Sequence, residues 1–257
     1  MIAELPATLA RADAVLAAFR PPRLQKTIWG SPGGKKRLAK RLCALLPAHQ
    51  TYVEPFAGSA AVLFEKAPGG VEVVNDADPE IAWAYRRIKR LSKRDVERLR
   101  AMDWTGDAET YKSLFDASPK GDLERLHRFL YLSHFSYGKL RGRSFSPSSQ
   151  GVVAKTVDRI ATFAPRLKDV RVWSGDYEPV VRKFDGPDTV FYLDPPYAGY
   201  DVDIGEADFD EERFFEVLRT LKGKFLLTYG TRGELPALLK DAGFAIRRIR
   251  PARTIRS

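Results

Sequence analysis

Cysteine, histidine and long apolar runs are all scarce in this chain. Cys43 is the single cysteine, so no intrachain disulfide can form, and a reducing, cytoplasmic setting is expected. With it come only His49, His127 and His134, scattered along the sequence, which argues against a zinc site, and no metal is expected. No stretch approaches the roughly 18 apolar residues of a membrane span. The first 20 residues alternate Ala and Leu with Glu4, Arg11 and Asp13, unlike the continuous apolar core of a secretory signal. What is abundant is positive charge. The 257 residues hold 43 Lys and Arg against 33 Asp and Glu, a net charge of +10. A surplus of that size favours a polyanionic partner, nucleic acid first and an anionic membrane surface next. Hydrophobic content of 44% is enough for a substantial core and excludes a disordered chain.

The chain is organised around residues 190–197. Val190, Phe191, Tyr192 and Leu193 run without a break into Asp194, Pro195, Pro196 and Tyr197. Such a run predicts a strand buried on both faces, as in a parallel sheet. Neither proline can donate to a ladder, so the strand must stop there. That leaves a carboxylate, two proline carbonyls and an aromatic ring at the mouth of an open sheet, where α/β proteins bind ligands. Acceptors beside a flat ring suit a planar substrate bearing an exocyclic amino group. On these residues alone, an edge strand ending in a Pro-Pro turn fits as well.

Upstream, residues 1–25 read as an amphipathic helix ended by Pro21 and Pro22. The stretch 29–37 then carries Trp29, a Gly33-Gly34 turn and Lys35, Lys36 and Arg37. Backbone N–H groups at such a turn can hold an anion, or the segment is simply a basic helix start. It is not a P-loop, because only three residues separate Gly30 from Gly34 and no Ser or Thr follows the lysine. A helix is expected from Leu38 to Leu46. Residues 51–56 predict a strand, followed by the small-residue turn Ala57-Gly58-Ser59-Ala60 and a helix. A second strand over 71–74 ends at Asn75-Asp76, and Asp76 lies 18 positions after Gly58. A carboxylate about 20 residues beyond a glycine turn suits ribose hydroxyls, although a helix-capping Asp in an ordinary βαβ turn would look the same.

A helix from Pro79 to Leu91 shows apolar spacing at Ile81, Tyr85, Ile88 and Leu91, with a basic opposite face, most simply a solvated one. Residues 101–150 interrupt the α/β alternation. They contain an expected helix at 123–133 and then a loop in which Lys139, Arg141 and Arg143 alternate with glycines between aromatic residues. That composition suits contact with phosphates, guanine edges and splayed bases, or a solvated basic loop. Further on come a helix through Val153 and Leu167, a strand at 170–173 ending near Asp176, and the strand before Asp194. An acidic segment at 200–210 has the character of a lid. The chain closes with a helix at 210–221, a strand at 224–229, a helix at 235–242 and a strand at 244–249. The pattern is a doubly wound α/β domain with one insertion.

Taken in order, these motifs resemble the Dam-like N6-adenine DNA methyltransferases, which use S-adenosylmethionine. The likeness runs from about residue 29 to 250. It rests on residues 32–35 (Pro-Gly-Gly-Lys), 54–59 (Glu-Pro-Phe-Ala-Gly-Ser), Asn75-Asp76, 175–177 (Gly-Asp-Tyr) and 194–197 (Asp-Pro-Pro-Tyr). The resemblance implies a class I methyltransferase, Rossmann-like sheet at 29–100 and 151–257. It also implies an N-terminal extension at 1–28 and a mainly helical target-recognition insertion at 101–150. The implied reaction is methyl transfer to the N6 amino group of an adenine flipped out of double-stranded DNA. Tyr197 would stack on the base, while Asp194 and the Pro195 carbonyl accept its amino hydrogens, with Pro196 completing the motif. Pro55, Phe56, Gly58, Ser59 and Tyr177 would line the cofactor, Asp76 would hold its ribose and Asp176 its adenine. Lys35 would take the methionine carboxylate or a DNA phosphate.

Three departures from the family pattern stand out. Ala60 replaces a second glycine. Ser31 stands where an aromatic residue is usual, so Trp29 is expected to supply the cofactor-facing ring. The family sheet has a further strand after the segment matching 244–249, for which only 250–257 remain, so that strand is expected to be absent or cut short. Transfer to cytosine N4 or to RNA, or DNA binding without catalysis, would use similar residues. A restriction endonuclease counterpart is compatible with the resemblance.

Overall fold

The computed structural model describes residues 27–142, 144–147, 150–197 and 209–247. The expected helix at 1–25, most of the expected lid and Arg143 lie outside these residues. Two compact units are present. The first takes in the chain up to Asp194 together with Lys222–Leu227, and the second takes in Pro195–Leu221 and the chain from Thr228.

The first unit is built on five parallel strands: β1 (Thr51–Glu54), β2 (Val71–Asp76), β3 (Arg171–Ser174), β4 (Thr189–Leu193) and β5 (Lys224–Leu227). Their order across the sheet is β3-β2-β1-β4-β5. The chain steps outward from β1 through β2 to β3, then returns to the other side of β1 for β4. The reversal puts a switch point between the carboxyl ends of β1 and β4, the place where open α/β sheets bind ligands. All five residues of β4 are buried, as the unbroken apolar run requires.

Helices α1 (Ala39–Cys43), α2 (Ala61–Glu65), α3 (Pro79–Ile88), α4 (Lys93–Arg100), α5 (Ala108–Asp116), α6 (Asp122–Phe135), α7 (Gln150–Leu167) and α8 (Tyr177–Phe184) complete this unit. The second holds α9 (Glu211–Arg219) and α10 (Leu235–Asp241). No helix among the described residues is long and apolar enough to cross a membrane.

Several expectations need correction. The helix expected to reach Leu46 stops at Cys43, because the N–H groups of Leu45 and Leu46 bond three residues back in tightening turns before Pro47. The helix from Pro79 does not continue to Leu91. Ser92 caps a new helix, with its hydroxyl accepting the Asp95 N–H while the Asp95 carboxylate accepts the Ser92 N–H. Helices α5 and α8 were not anticipated, and each is started by an aspartate cap, Asp107 and Asp176. Thr228 and Tyr229 lie beyond the end of β5. Residues 244–247 carry no strand.

The buried apolar residues described in the interruption at 101–150 pack into the same core as the sheet. Leu123, Leu126, Phe129, Leu130, Tyr131 and Phe135 of α6 share one apolar cluster with Tyr52, Val62, Phe64, Val74 and Tyr85 of the sheet region. Buried beside the sheet is a charged triad. Glu72 on β2 receives Arg166 through Nη1 at 2.5 Å and Nη2 at 2.9 Å, and also pairs with Lys66. Arg166 Nη2 further donates to the Leu63 carbonyl at 2.7 Å. Two cations depend here on one buried carboxylate. Glu72→Gln should therefore destabilise the chain by about 3–5 kcal/mol, because both cations lose their counter-charge in a dry setting. Urea titration followed by far-ultraviolet circular dichroism measures the difference.

Candidate active site

Several of the residues singled out by the sequence lie at or just beyond the carboxyl ends of the strands. Strand β1 ends in Glu54, which is fully buried. Its Oε1 accepts the Tyr52 hydroxyl at 2.5 Å and the Leu63 N–H at 2.7 Å. Burial is the largest influence on this carboxyl and raises its pKa to about 7; the two hydrogen bonds and Lys66 pull it down, and the Asp194 charge adds to the rise.

The chain then turns through Pro55–Ala60. Gly58 has φ of 47°, and Ala60 has the same left-handed φ, a conformation that costs an alanine what a glycine adopts freely. The turn is held from several directions. Gly58 donates its N–H to Asp76 Oδ2 at 2.7 Å, and the Tyr85 hydroxyl donates to the Gly58 carbonyl at 2.9 Å. Asn75 Nδ2 donates to the carbonyls of Pro55 and Gly175, both at 2.9 Å, which ties together the ends of β1, β2 and β3. Ser31 Oγ reaches Ser59 Oγ at 3.1 Å and would lie 3.2 Å from a Cβ placed on Gly58, so the N-terminal stretch packs directly on the turn.

Asp76 does not stand as an open carboxylate. Its second oxygen accepts the Asp78 N–H at 2.9 Å. Burial raises its pKa to about 6 against the pull of these two backbone donors. Asp176, exposed at the end of β3, caps α8 by accepting the Glu178 N–H at 2.9 Å. The Tyr177 ring lies 5.1 Å from that of Phe56 at 33°, which brings those two expected residues together. A Cβ on Gly175 would meet nothing within 4 Å, so the backbone leading into Asp176 borders open space.

Lys35 is brought to Asp194. Its Nζ lies 2.8 Å from Oδ1 and 2.9 Å from Oδ2, and it also donates to the Gly33 carbonyl at 2.7 Å. The ammonium expected on an external anion is thus bound bidentately by the carboxylate that ends β4, whose side chain is 19% exposed. The remaining residues of that motif belong to the second unit. Pro195 is buried, Pro196 exposed and Tyr197 half-buried, with the Tyr197 ring 5.1 Å from that of Tyr229.

Three of the expected site residues lie elsewhere than expected. Trp29 is 1% exposed, with its ring 4.6 Å from Tyr85 and 5.0 Å from Phe129, so it is a core residue between α3 and α6 and not a ring facing a ligand. Arg141 pairs with Asp78 and lies over the Phe129 ring. Lys139 donates to the His134 carbonyl, and burial lowers its pKa. Both side chains are committed inside the unit. Lys36, Arg37, Lys40 and Arg41, which follow Lys35 directly, are the exposed cations nearest to it in sequence.

A family model described as D12 class N6 adenine-specific DNA methyltransferase matches residues 31–254. Among curated proteins, the type II methyltransferase M1.LlaDCHI of Lactococcus lactis subsp. cremoris is 28% identical over 64% of this chain and 63% of its own length. The type II methyltransferase M.CviBI of Paramecium bursaria Chlorella virus NC1A is 24% identical over 77% of this chain and 80% of its own. The type II methyltransferase M.MjaIII of Methanocaldococcus jannaschii is 24% identical over 64% and 66% respectively. The chain therefore spans slightly under two thirds of the first and third of these relatives.

Glu54 gives this region a pH dependence. Its carboxyl binds a proton more tightly folded than unfolded, so its contribution to stability is full below its ordinary value of 4.5 and is lost as pH rises through about 7. Glu54→Gln should flatten the fall in melting temperature across that window. Asp76 acts in the same direction, so the slope should shrink and not vanish; scanning calorimetry as a function of pH measures it.

Proposed function

This chain belongs to the D12 class N6 adenine-specific DNA methyltransferase family, and on that premise we propose that it methylates adenine N6 in double-stranded DNA with S-adenosylmethionine as methyl donor. The observation that carries the reading is the place of Asp194. It leaves the sheet at the switch point beside β1, and Lys35 holds its carboxylate in a fixed orientation.

The residues fit the donor. Gly58 turns without a side chain, Asp76 ends β2, and Asp176 follows the neighbouring β3 beside the open space at Gly175. Each carboxylate oxygen of Asp76 has taken one backbone N–H and keeps a further lone pair for a ribose hydroxyl. Asp176, exposed beside that space, is assigned to the cofactor's adenine amino group. Half-buried Phe56 offers an apolar surface for a flat purine, and the buried Tyr177 ring backs it. When bound, S-adenosylmethionine supplies an electrophilic methyl group.

The chain's own residues orient the acceptor. Asp194 and the Pro195 carbonyl accept the two amino hydrogens of the flipped adenine, so the nitrogen lone pair turns out of the ring. Tyr197 stacks on the base. Orientation and fixed electrostatics then supply most of the catalysis. Lys35 has a supporting role in this reading, since an ammonium on both oxygens of Asp194 limits the rotation of that carboxylate. We assign residues 101–150 to target recognition, with Tyr137, at 73% exposure, on the loop that follows α6. The cations Lys36, Arg37, Lys40 and Arg41 are offered to phosphates.

Asp194→Ala should abolish transfer of tritiated methyl groups to DNA while cofactor binding by calorimetry persists. Lys35→Met should lower turnover by at least about tenfold through lost orientation of Asp194. Digesting DNA methylated by the chain should release N6-methyladenine. Recovery of N4-methylcytosine, or full activity of Asp194→Ala, would overturn the assignment.

A further inference from the structure

We propose that Tyr229, anchored by Glu211, is a positioning residue that sets the orientation of the Tyr197 ring. The inference rests on the stacking role given to Tyr197 above, and every residue in it belongs to the second unit.

The two prolines before Tyr197 fix backbone φ but leave the side-chain torsions of the tyrosine undetermined. A half-buried ring needs support from a neighbour if it is to meet a base at one angle. Tyr229 supplies that neighbour, with ring centroids 5.1 Å apart and planes at 58°. Tilted aromatic pairs have angular preferences that an aliphatic contact lacks, because the ring quadrupoles favour particular orientations.

Tyr229 is itself held. Its hydroxyl donates to Glu211 Oε1 at 2.8 Å. Glu211 opens α9 but does not cap it, since Asp210 does so by accepting the Arg213 N–H at 2.8 Å. The Glu211 carboxylate turns instead to the start of α10, where it accepts the Glu234 N–H at 2.9 Å and the Leu235 N–H at 3.1 Å. Two backbone donors and a phenol therefore fix one carboxylate. The helix start positions Glu211, Glu211 positions Tyr229, and Tyr229 positions Tyr197. A phenylalanine at 229 would keep the ring contact and lose the anchor, which makes the hydroxyl the testable element.

The experiment uses the full chain and a duplex carrying its mapped methylation site. Turnover is measured on that duplex, and fluorescence lifetimes on one with 2-aminopurine at the target position. Tyr229→Phe and Glu211→Gln should each lower kcat about threefold to tenfold, with KM for DNA and cofactor held within about twofold. Both should shift 2-aminopurine lifetimes toward the unstacked population. In a Tyr197→Ala background, Tyr229→Phe should add no further loss. If both variants lower the melting temperature and leave kcat and lifetimes unchanged, Tyr229 only stabilises the unit and the proposal fails. An additive loss in the double variant would overturn it as well. If Tyr197→Ala is itself unimpaired, the stacking role of Tyr197 falls and the positioning role falls with it. Impairment of Tyr197→Ala beside wild-type behaviour of the other two variants would remove the positioning role alone.

Discussion

The carboxylate of Asp76 joins two separate parts of the chain. One oxygen takes the N–H of Gly58, in the turn after β1, and the other takes the N–H of Asp78, where α3 begins. Parallel pairing makes this possible, because Glu54 stands opposite Val74 and Asp76 opposite Ser174, so the strands end in a row. Asn75, the neighbouring residue, ties the same row together through two carbonyls. The arrangement has a cost. Burial pushes the Asp76 carboxyl up to about 6, and Ala60 is forced into a left-handed conformation. A buried carboxylate is tolerated when donors satisfy it, and here the donors are backbone groups that would otherwise be unpaired themselves. The glycine turn, the start of α3 and the ends of three strands thus share one set of hydrogen bonds.

A second tie crosses a greater span of sequence. Lys35 and Asp194 are 159 residues apart, and their contact joins the Gly-Gly-Lys stretch to the end of β4. Ser31 reinforces it through Ser59. With Ser31 on the turn, Trp29 points the other way, into the space between Tyr85 and Phe129. A residue expected to face a ligand becomes the joint between the sheet region and the helices of 101–150. The size of an indole explains the outcome, since burying it against two aromatic rings removes more apolar surface from water than a half-exposed ligand contact would.

What could be read from the sequence follows from the range of each interaction. The strands of the sheet were legible because apolar runs ending in Glu54, Asp76, Asp176 and Asp194 are local patterns. So was the glycine turn. Helices α5 and α8 were missed although Asp107 and Asp176 carry a capping signal, because each helix is under three turns and its apolar face is short. The Ser92 to Asp95 spacing that splits α3 from α4 was likewise present and unread. The residue types of the candidate site are legible, but not their partners. Arg141 lies in a loop with the composition of a free basic segment, and nothing near it in sequence announces Asp78, 63 residues away. Charge patterns record which side chains are ionised and leave open which of them find counter-ions.

This distribution of partners bears on how the motif at 194–197 works. The boundary between the two compact units falls between Asp194 and Pro195. On one side the carboxylate is oriented by Lys35, a residue of the first unit. On the other the Tyr197 ring is oriented by Tyr229 and, through it, by Glu211, residues of the second. The acceptor and the stacking ring proposed to act on one base are therefore set by separate networks.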